Sequence, residues 1–405
     1  PSVYDVYTNR EVTLDRSEQV LSLLYELTQE RNGCVEIGAE RMPVCITLDE
    51  LANAAQDLNA YDFQPPTYEM GYPHWVNYIR SLLEEQYGAQ TIYRAGFKVY
   101  TTLDPTLQIM AQEMVSQQII NLANQHVTDG ALVAIRPSTG EILAMVGSAD
   151  FNNETIAGQI NMALIPRQPG SSIKPLTYTA AFEKGWTPAT LIWDVPSEFA
   201  PSDDPFDTNP PYKPVNYDNK FHGPVLVRSA LANSFNVPAV KTMQYIGIYD
   251  NPETPQQEGF LAFAQRMGVT SLTQPYYGLS LGLGGGEIPL IEMTAAYSIF
   301  ATGGKKIPLT AILKIEDYSG NLVYEFSPSA GDQVIRPEHA YLITSILSDN
   351  QARTPMFGSS SVLNLPFQVA AKTGTTNDFR ATVATPSKCP GRSPPHRPSL
   401  TPDTE

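Results

Sequence analysis

Apolar residues recur at helical intervals in the first hundred positions: Val20, Leu23, Leu24 and Leu27 in one stretch, Trp75, Val76, Ile79, Leu82 and Leu83 in another. Side chains three and four residues apart share one face of a helix, so the pattern predicts two short helices. Between them, residues 62–71 carry Pro65-Pro66 and read as an extended linker. Phe97, Val99 and Thr101 alternate with the period of a strand. Asp104-Pro105 follows, an N-cap residue and then the residue best tolerated at the first helical position, and predicts a helix with the apolar stripe Leu107, Met110, Ala111 and Met114.

The middle of the chain is denser in apolar residues. Residues 131–135 and 142–146 are apolar runs joined by Pro137-Ser138-Thr139-Gly140, which predicts a hairpin. From Asp194 to Pro224 the prolines 196, 201, 205, 210, 211, 214 and 224 rule out regular structure and leave a long loop, a form that in compact domains tends to be functional. Leu290, Met293, Thr294 and Tyr297 mark a helix that Gly303-Gly304 stops, and residues 339–347 mark another. The run 367–371 reads as a strand leading into Lys372. Beyond Arg380, residues 381–405 hold six prolines and almost no large apolar side chain, so they are predicted not to fold.

Composition narrows the class. The 405 residues suit two or three domains, and 42% apolar with 17% charged residues is the balance of a packed globular chain. The net charge of −16 disfavours nucleic acid and anionic lipid as partners. No run of about 18 apolar residues is present. The start at Pro1 reads as an interior point of a longer chain, with any membrane anchor or export signal upstream. Cys34 and Cys45 flank a short polar turn; a local disulfide in an oxidising compartment and two unrelated small residues are both compatible with that.

Three motifs carry chemistry. Ser171-Ser172-Ile173-Lys174 follows a turn-forming stretch and precedes a segment rich in Ala and aromatics; Pro175 pins a helix start close to Ser171. One turn separates hydroxyl from amine, and a buried lysine sheds its charge readily enough to serve as the base that serine needs. Such a spacing arises about once or twice by chance in a chain this long, so alone it decides little. Lys372-Thr373-Gly374-Thr375 ends an apolar strand; Gly374 permits close backbone approach, and the flanking Lys and Thr suit a substrate carboxylate. On its own it reads equally as a strand turning at a glycine. A Ser-x-Asn occurs at Ser234-Phe235-Asn236, Ser319-Gly320-Asn321 and Ser348-Asp349-Asn350. The second reads as a turn between strands and the third as a helix exit, whereas the first sits in a tight joint between two apolar segments and can aim polar side chains into a cleft.

Taken together, these motifs are a known set, and from about Gly96 to Arg380 the chain resembles the transpeptidase domain of class A, bifunctional penicillin-binding proteins. The matching stretches are residues 97–104, 131–147, 167–175, 216–218, 230–241, 282–297 and 372–380. The resemblance implies an α+β fold, an antiparallel sheet flanked by helices, with residues 1–95 as the linker after a glycosyltransferase domain that this chain lacks. It implies Ser171 as acylated nucleophile, Lys174 as general base, and Ser234 and Asn236 as proton path and holder of the substrate amide. Lys372, Thr373, Gly374 and Thr375 would form the carboxylate-binding strand, with the N–H groups of Ser171 and Thr375 as oxyanion hole. The implied reaction is D,D-transpeptidation of peptidoglycan stem peptides, with β-lactams acylating the same serine and no metal or organic cofactor. The implied location is the outer face of the bacterial cytoplasmic membrane, with attachment only through an absent N-terminal anchor. The resemblance stops at Arg380, where the family has two further strands and a closing helix; a frame change or truncation there is the expectation. That break leaves an inactive β-lactam-binding remnant as one alternative, and a D,D-carboxypeptidase or β-lactamase as another.

Overall fold

The computed structural model describes residues 4–7, 9–31, 34–37, 42–63, 70–200, 209–254, 257–375 and 382–388. The chain divides into two compact units, Pro1–Gly71 and Tyr72–Glu405. In the first, α1 (Arg10–Glu30) takes in the predicted Val20–Leu27 stripe, and β1 (Cys34–Ile37) pairs antiparallel with β2 (Met42–Cys45). Cys34 faces Cys45 in that register, and the two are disulfide-bonded, which resolves the open alternative. A helix the apolar pattern did not announce, α2 (Leu48–Ala60), starts at a capping box: Thr47 Oγ1 accepts from Glu50 N–H, and Glu50 accepts from Thr47 N–H.

The second unit opens with α3 (Pro73–Tyr87), α4 (Ala89–Ala95) and β3 (Lys98–Thr101). Trp75, Ile79 and Leu83 of α3 are buried with Ile142, Met145, Ile312 and Ile315, so this helix belongs to the second unit. The sequence boundary near residue 95 therefore differs from the structural one at Gly71. The stripe of α5 (Pro105–Asn121) also differs from expectation. Asp104 caps it as predicted, but Leu107, Met110 and Met114 are exposed and the buried face is Gln108, Ala111 and Val115. A polar residue lies inward because its amide closes a strand: Gln108 accepts from Met145 N–H and donates to Met145 O.

The predicted hairpin is β4 (Leu132–Arg136) and β5 (Glu141–Val146). A 3₁₀ turn, Gly170–Ile173, leads into α6 (Lys174–Glu183), buried from Lys174 to Phe182. There follow β6 (Leu191–Asp194), β7 (Gly223–Leu226), α7 (Val227–Ala232), α8 (Asn236–Ile246) and α9 (Phe260–Arg266). After a second 3₁₀ turn, Leu279–Leu283, come α10 (Leu290–Ala301), β8 (Lys305–Lys306), β9 (Ile312–Glu316), β10 (Leu322–Glu325) and β11 (Asp332–Gln333). The unit closes with α11 (Pro337–Leu347), α12 (Asn350–Phe357), β12 (Val369–Thr375) and β13 (Thr382–Lys388). The strands form the orders β10-β9-β3, β4-β5, β6-β7, β11-β8 and β12-β13, and every ladder among them is antiparallel. This is the α+β arrangement expected. The principal core gathers α6 to α11: Leu176, Leu231, Met243, Phe260, Phe263 and Ile343 are all at most 2% exposed.

Two further expectations need correction. Proline did not exclude strands at the ends of the 194–224 segment: β6 ends on Asp194, and Pro224 lies within β7. Nor did the tail lose all structure after Arg380. Residues 382–388 pair along the whole of β12, Lys372 opposite Thr385 and Thr375 opposite Thr382. The β-branched Thr382, Val383 and Thr385 favour a strand, and Pro386 is tolerated because β12 is the sole sheet partner of β13 among the described residues, leaving an edge where a missing donor costs little. Residues 389–405 and Cys389 lie outside the described residues.

Candidate active site

The three motifs converge. Helix α6 begins at Lys174, three residues later than the serine; Ser171 sits in the preceding 3₁₀ turn, and Lys174 N–H bonds back to Ser171 O. Proline is accommodated because Pro175 falls in the first turn, where its missing N–H has no partner to lose. Glycines fix how close this turn lies to β12. A Cβ on Gly374 would stand 2.2 Å from Pro169 O, and one on Gly170, at φ +55°, 2.4 Å from Thr375 O and 2.8 Å from Thr375 N. On the far side, a Cβ on Gly284 would meet Gly170 N at 2.3 Å. The turn is thus held between two backbones with no room for a side chain. Tyr297 OH from α10 donates to Ser172 O at 2.7 Å, and Ser172 Oγ donates to Pro169 O at 2.7 Å.

Ser234 occupies the joint between α7 and α8 at φ +60°, a left-handed conformation that a non-glycine residue adopts at a cost of about 1–3 kcal/mol and that clusters at functional sites. It carries its hydroxyl between two amines. Lys372 Nζ donates to Ser234 Oγ at 2.8 Å, and Lys174 Nζ lies 3.3 Å from the same oxygen. Lys174 Nζ also donates to Ser234 O (2.6 Å), Asn236 Oδ1 (2.7 Å) and Phe235 O (3.2 Å). Lys372 Nζ further donates to Thr373 O at 2.7 Å.

Both amines are buried, Lys174 at 0% and Lys372 at 4% exposure. Burial first, and then the nearby Lys372 charge, holds Lys174 well below the ordinary lysine range. Its oxygen acceptors pull the other way, favouring the ammonium, so the group is poised for proton exchange. Burial, and then the Arg353 guanidinium, brings Lys372 down to about 7. Arg353 itself is 2% exposed; its Nη2 donates to Leu347 O, and its Nη1 is buried with no hydrogen-bond partner among the described residues.

All eight residues singled out by sequence therefore fall in one region: Ser171, Lys174, Ser234, Asn236, and Lys372 to Thr375. The two set-aside Ser-x-Asn segments lie elsewhere. Asp349 of the last caps α12 by accepting from Ala352 N–H, and Ser319 to Asn321 form a turn around Asp317. What the sequence did not yield is the layer behind the site: Asp194, Asn216, His222, Arg353 and Tyr297. The signals present were the proline-rich segment, which contains the first three of these, and the matching stretches 216–218 and 282–297, which take in Asn216 and Tyr297 without assigning them a role. Among the described residues, no group of three or more His, Cys, Asp or Glu side chains could hold a metal ion, and no helix is long and apolar enough to cross a membrane.

Comparison with known proteins gives a match to the penicillin binding protein transpeptidase domain over residues 130–388. Penicillin-binding protein 2D of Bacillus subtilis is 32% identical over 313 residues, which is 75% of this chain and 42% of the relative. The chain thus spans less than half the length of that protein. Penicillin-binding protein 1A of Haemophilus influenzae shares the fold with a TM-score of 0.68 at 20% identity, over 93% of this chain and 70% of that one. The PonA1 protein of Mycobacterium tuberculosis, solved in complex with penicillin V, shares it with a TM-score of 0.61 at 22% identity, over 78% and 81%.

Proposed function

The chain belongs to the penicillin-binding protein transpeptidase family, and we propose that within it Ser171 is the nucleophile of a serine D,D-transpeptidase acting on peptidoglycan stem peptides. The observation that carries this is the fully buried Lys174 amine, one turn from Ser171 and linked through Ser234 Oγ to Lys372. An uncharged Lys174 takes the Ser171 proton as Oγ attacks the carbonyl of the terminal D-Ala–D-Ala bond. The C–N bond breaks, and the proton passes by way of Lys174 and Ser234 to the departing D-Ala amine. The acyl group stays on Ser171 as an ester until an amine of a neighbouring stem attacks it, gives up its proton along the same path and restores the hydroxyl.

The nearness of Thr375 N to Gly170 supports the N–H groups of Ser171 and Thr375 as the oxyanion hole. Lys372, Thr373 and Thr375, with Gly374 allowing the approach, line the strand along which the substrate carboxylate would lie. A β-lactam acylates the same oxygen by ring opening, and its leaving nitrogen stays tethered, which favours a persistent ester. The penicillin complex of the mycobacterial fold relative is in keeping with this. The location proposed is the outer face of the bacterial cytoplasmic membrane, where stem peptides are exposed; the Cys34–Cys45 disulfide supports an oxidising compartment.

Incubation with a fluorescent penicillin followed by a denaturing gel tests the acyl-enzyme. Covalent label on the wild-type chain that is lost in Ser171→Ala is the expected result. A wild-type chain that takes no label overturns the reading in favour of an inactive remnant. Supplying a peptide ending in D-Ala–D-Ala as donor and a D-amino acid as acceptor then separates transfer to amine from hydrolysis, the outcome that a carboxypeptidase would give, while opening of free penicillin with turnover is the outcome that a β-lactamase would give.

A further inference from the structure

Behind the amines lies a second layer of polar groups that the proposed reaction has not used. Asp194, at the end of β6, is 0% exposed, and Asn216 is 2% exposed. Asp194 Oδ2 accepts three hydrogen bonds: from Asn216 Nδ2 (2.8 Å), from His222 N–H (3.0 Å) and from the His222 ring nitrogen Nδ1 (2.7 Å). Its other oxygen, Oδ1, is buried with no hydrogen-bond partner among the described residues. Burying a carboxylate costs free energy that a merely structural contact could avoid with a neutral acceptor.

The partners of Asn216 determine which way its amide faces. Its nitrogen donates to Asp194 and to Lys220 O at 2.8 Å, which uses both protons and leaves Oδ1 to accept from Asn236 N–H at 2.7 Å. The residue before it, Val215, accepts at its carbonyl from Asn236 Nδ2 at 2.7 Å. Val215 and Asn216 together therefore hold Asn236 at two points, its backbone and its amide nitrogen. With the nitrogen claimed, the amide oxygen must face Lys174.

We propose that Asp194 and Asn216 are positioning residues that lock the amide of Asn236 with its oxygen toward Lys174, and so set the proton affinity and aim of that amine. This rests on the acyl-enzyme reading above. Were the Asn236 amide to turn over, an N–H₂ group would face the amine in place of an acceptor. The ammonium form would lose a hydrogen bond, and the amine would lose one of the contacts that hold it in place. The titratable and charged groups around the unit are His222 and, beyond it, Asp218 on the loop side, Tyr178 from α6, Lys241 from α8, and Lys372 with Arg353 behind it across Lys174. The substitutions below leave all of these in place.

The test is the rate of acylation by fluorescent penicillin as a function of pH. Asn216→Ala and Asp194→Ala are expected to slow it by about tenfold or more, and to move the acid limb of the rate profile to lower pH, because Lys174 loses an acceptor that favours its charged form. Asp194→Asn keeps an acceptor for Asn216 and is expected to restore most of the rate. The fraction finally labelled and the circular dichroism spectrum separate misfolding from mispositioning. A fall in labelled fraction, with the remainder reacting at the wild-type rate and pH limb, overturns the proposal. So does unchanged acylation in Asn216→Ala on a wild-type chain that labels normally. A wild-type chain without label overturns the acyl-enzyme reading, and this one with it.

Discussion

Ser234 Oγ is reached by Lys372 Nζ at 2.8 Å and stands 3.3 Å from Lys174 Nζ, so one hydroxyl joins two amines whose basicity burial has lowered. This arrangement has a thermodynamic consequence for the folded chain. Lys372 titrates near 7 in the folded chain against 10.5 for an unperturbed lysine. Between those values the unfolded chain holds the proton and the folded chain does not, so this residue makes stability rise with pH across that window. Lys372→Met removes the linkage. Measured by urea unfolding, the variant is expected to lose ground to the wild type between pH 7 and pH 10 by on the order of 3–5 kcal/mol; a gap that stays constant over that range would contradict it. Residue identity and the spacing within each motif let the sequence single out Ser171, Lys174, Ser234 and Lys372, and the structure brings three of these side chains together at Ser234 Oγ, with Ser171 in the adjoining turn. Asp194 and His222 were not legible, and Asn216 stood in a matching stretch without an assigned role. Their contacts come from amide orientation and convergence across a proline-rich segment, which no local periodicity encodes.

Elements position these groups through contacts that exclude side chains. The 3₁₀ turn of Ser171 lies between β12 and the Gly284 loop, and Gly374 faces Pro169 O where a Cβ would be 2.2 Å away. Gly374→Ala must push β12 off the turn, and overpacking of this kind costs roughly 1–3 kcal/mol. The displacement also carries the Thr375 N–H away from the proposed oxyanion site. Acylation of Gly374→Ala by penicillin is expected to fall by about 10²-fold. Gly278→Ala, at a glycine with nothing within 4 Å of a built Cβ and no positive φ, should acylate at the wild-type rate. Equal rates in both variants would mean that the close approach has no catalytic consequence. At this scale the sequence was readable where a pattern is intrinsic to the element: the alternation of β3, the Asp104 cap of α5 and the glycines after α10 all foretold what forms. It was misleading where tertiary partners decide. Leu107, Met110 and Met114 of the α5 stripe face outward because the inward position is held by the hydrogen bonds of Gln108 to Met145, and β13 forms despite Pro386 because β12 supplies a template.

The whole molecule separates its chemistry from its N-terminal unit. Every residue of the candidate site, and the layer behind it, lies between Ser171 and Thr375, inside the second unit, which buries its own core. The first unit has little apolar burial, with Leu14 its one buried hydrophobic residue among those described, and is cross-linked by Cys34–Cys45. Small cores lean on such staples: closing a loop of this size is worth about 2–3 kcal/mol by constraining the unfolded chain. Replacing both cysteines by serine should therefore loosen the first unit alone. Hydrogen exchange of the α1 and α2 amides is expected to accelerate by about 30- to 150-fold, the equivalent of that free energy, while the rate of penicillin acylation stays at the wild-type value. A drop in acylation on removing the disulfide would mean that the N-terminal unit feeds into the site, and the placement of function wholly in the second unit would have to be abandoned.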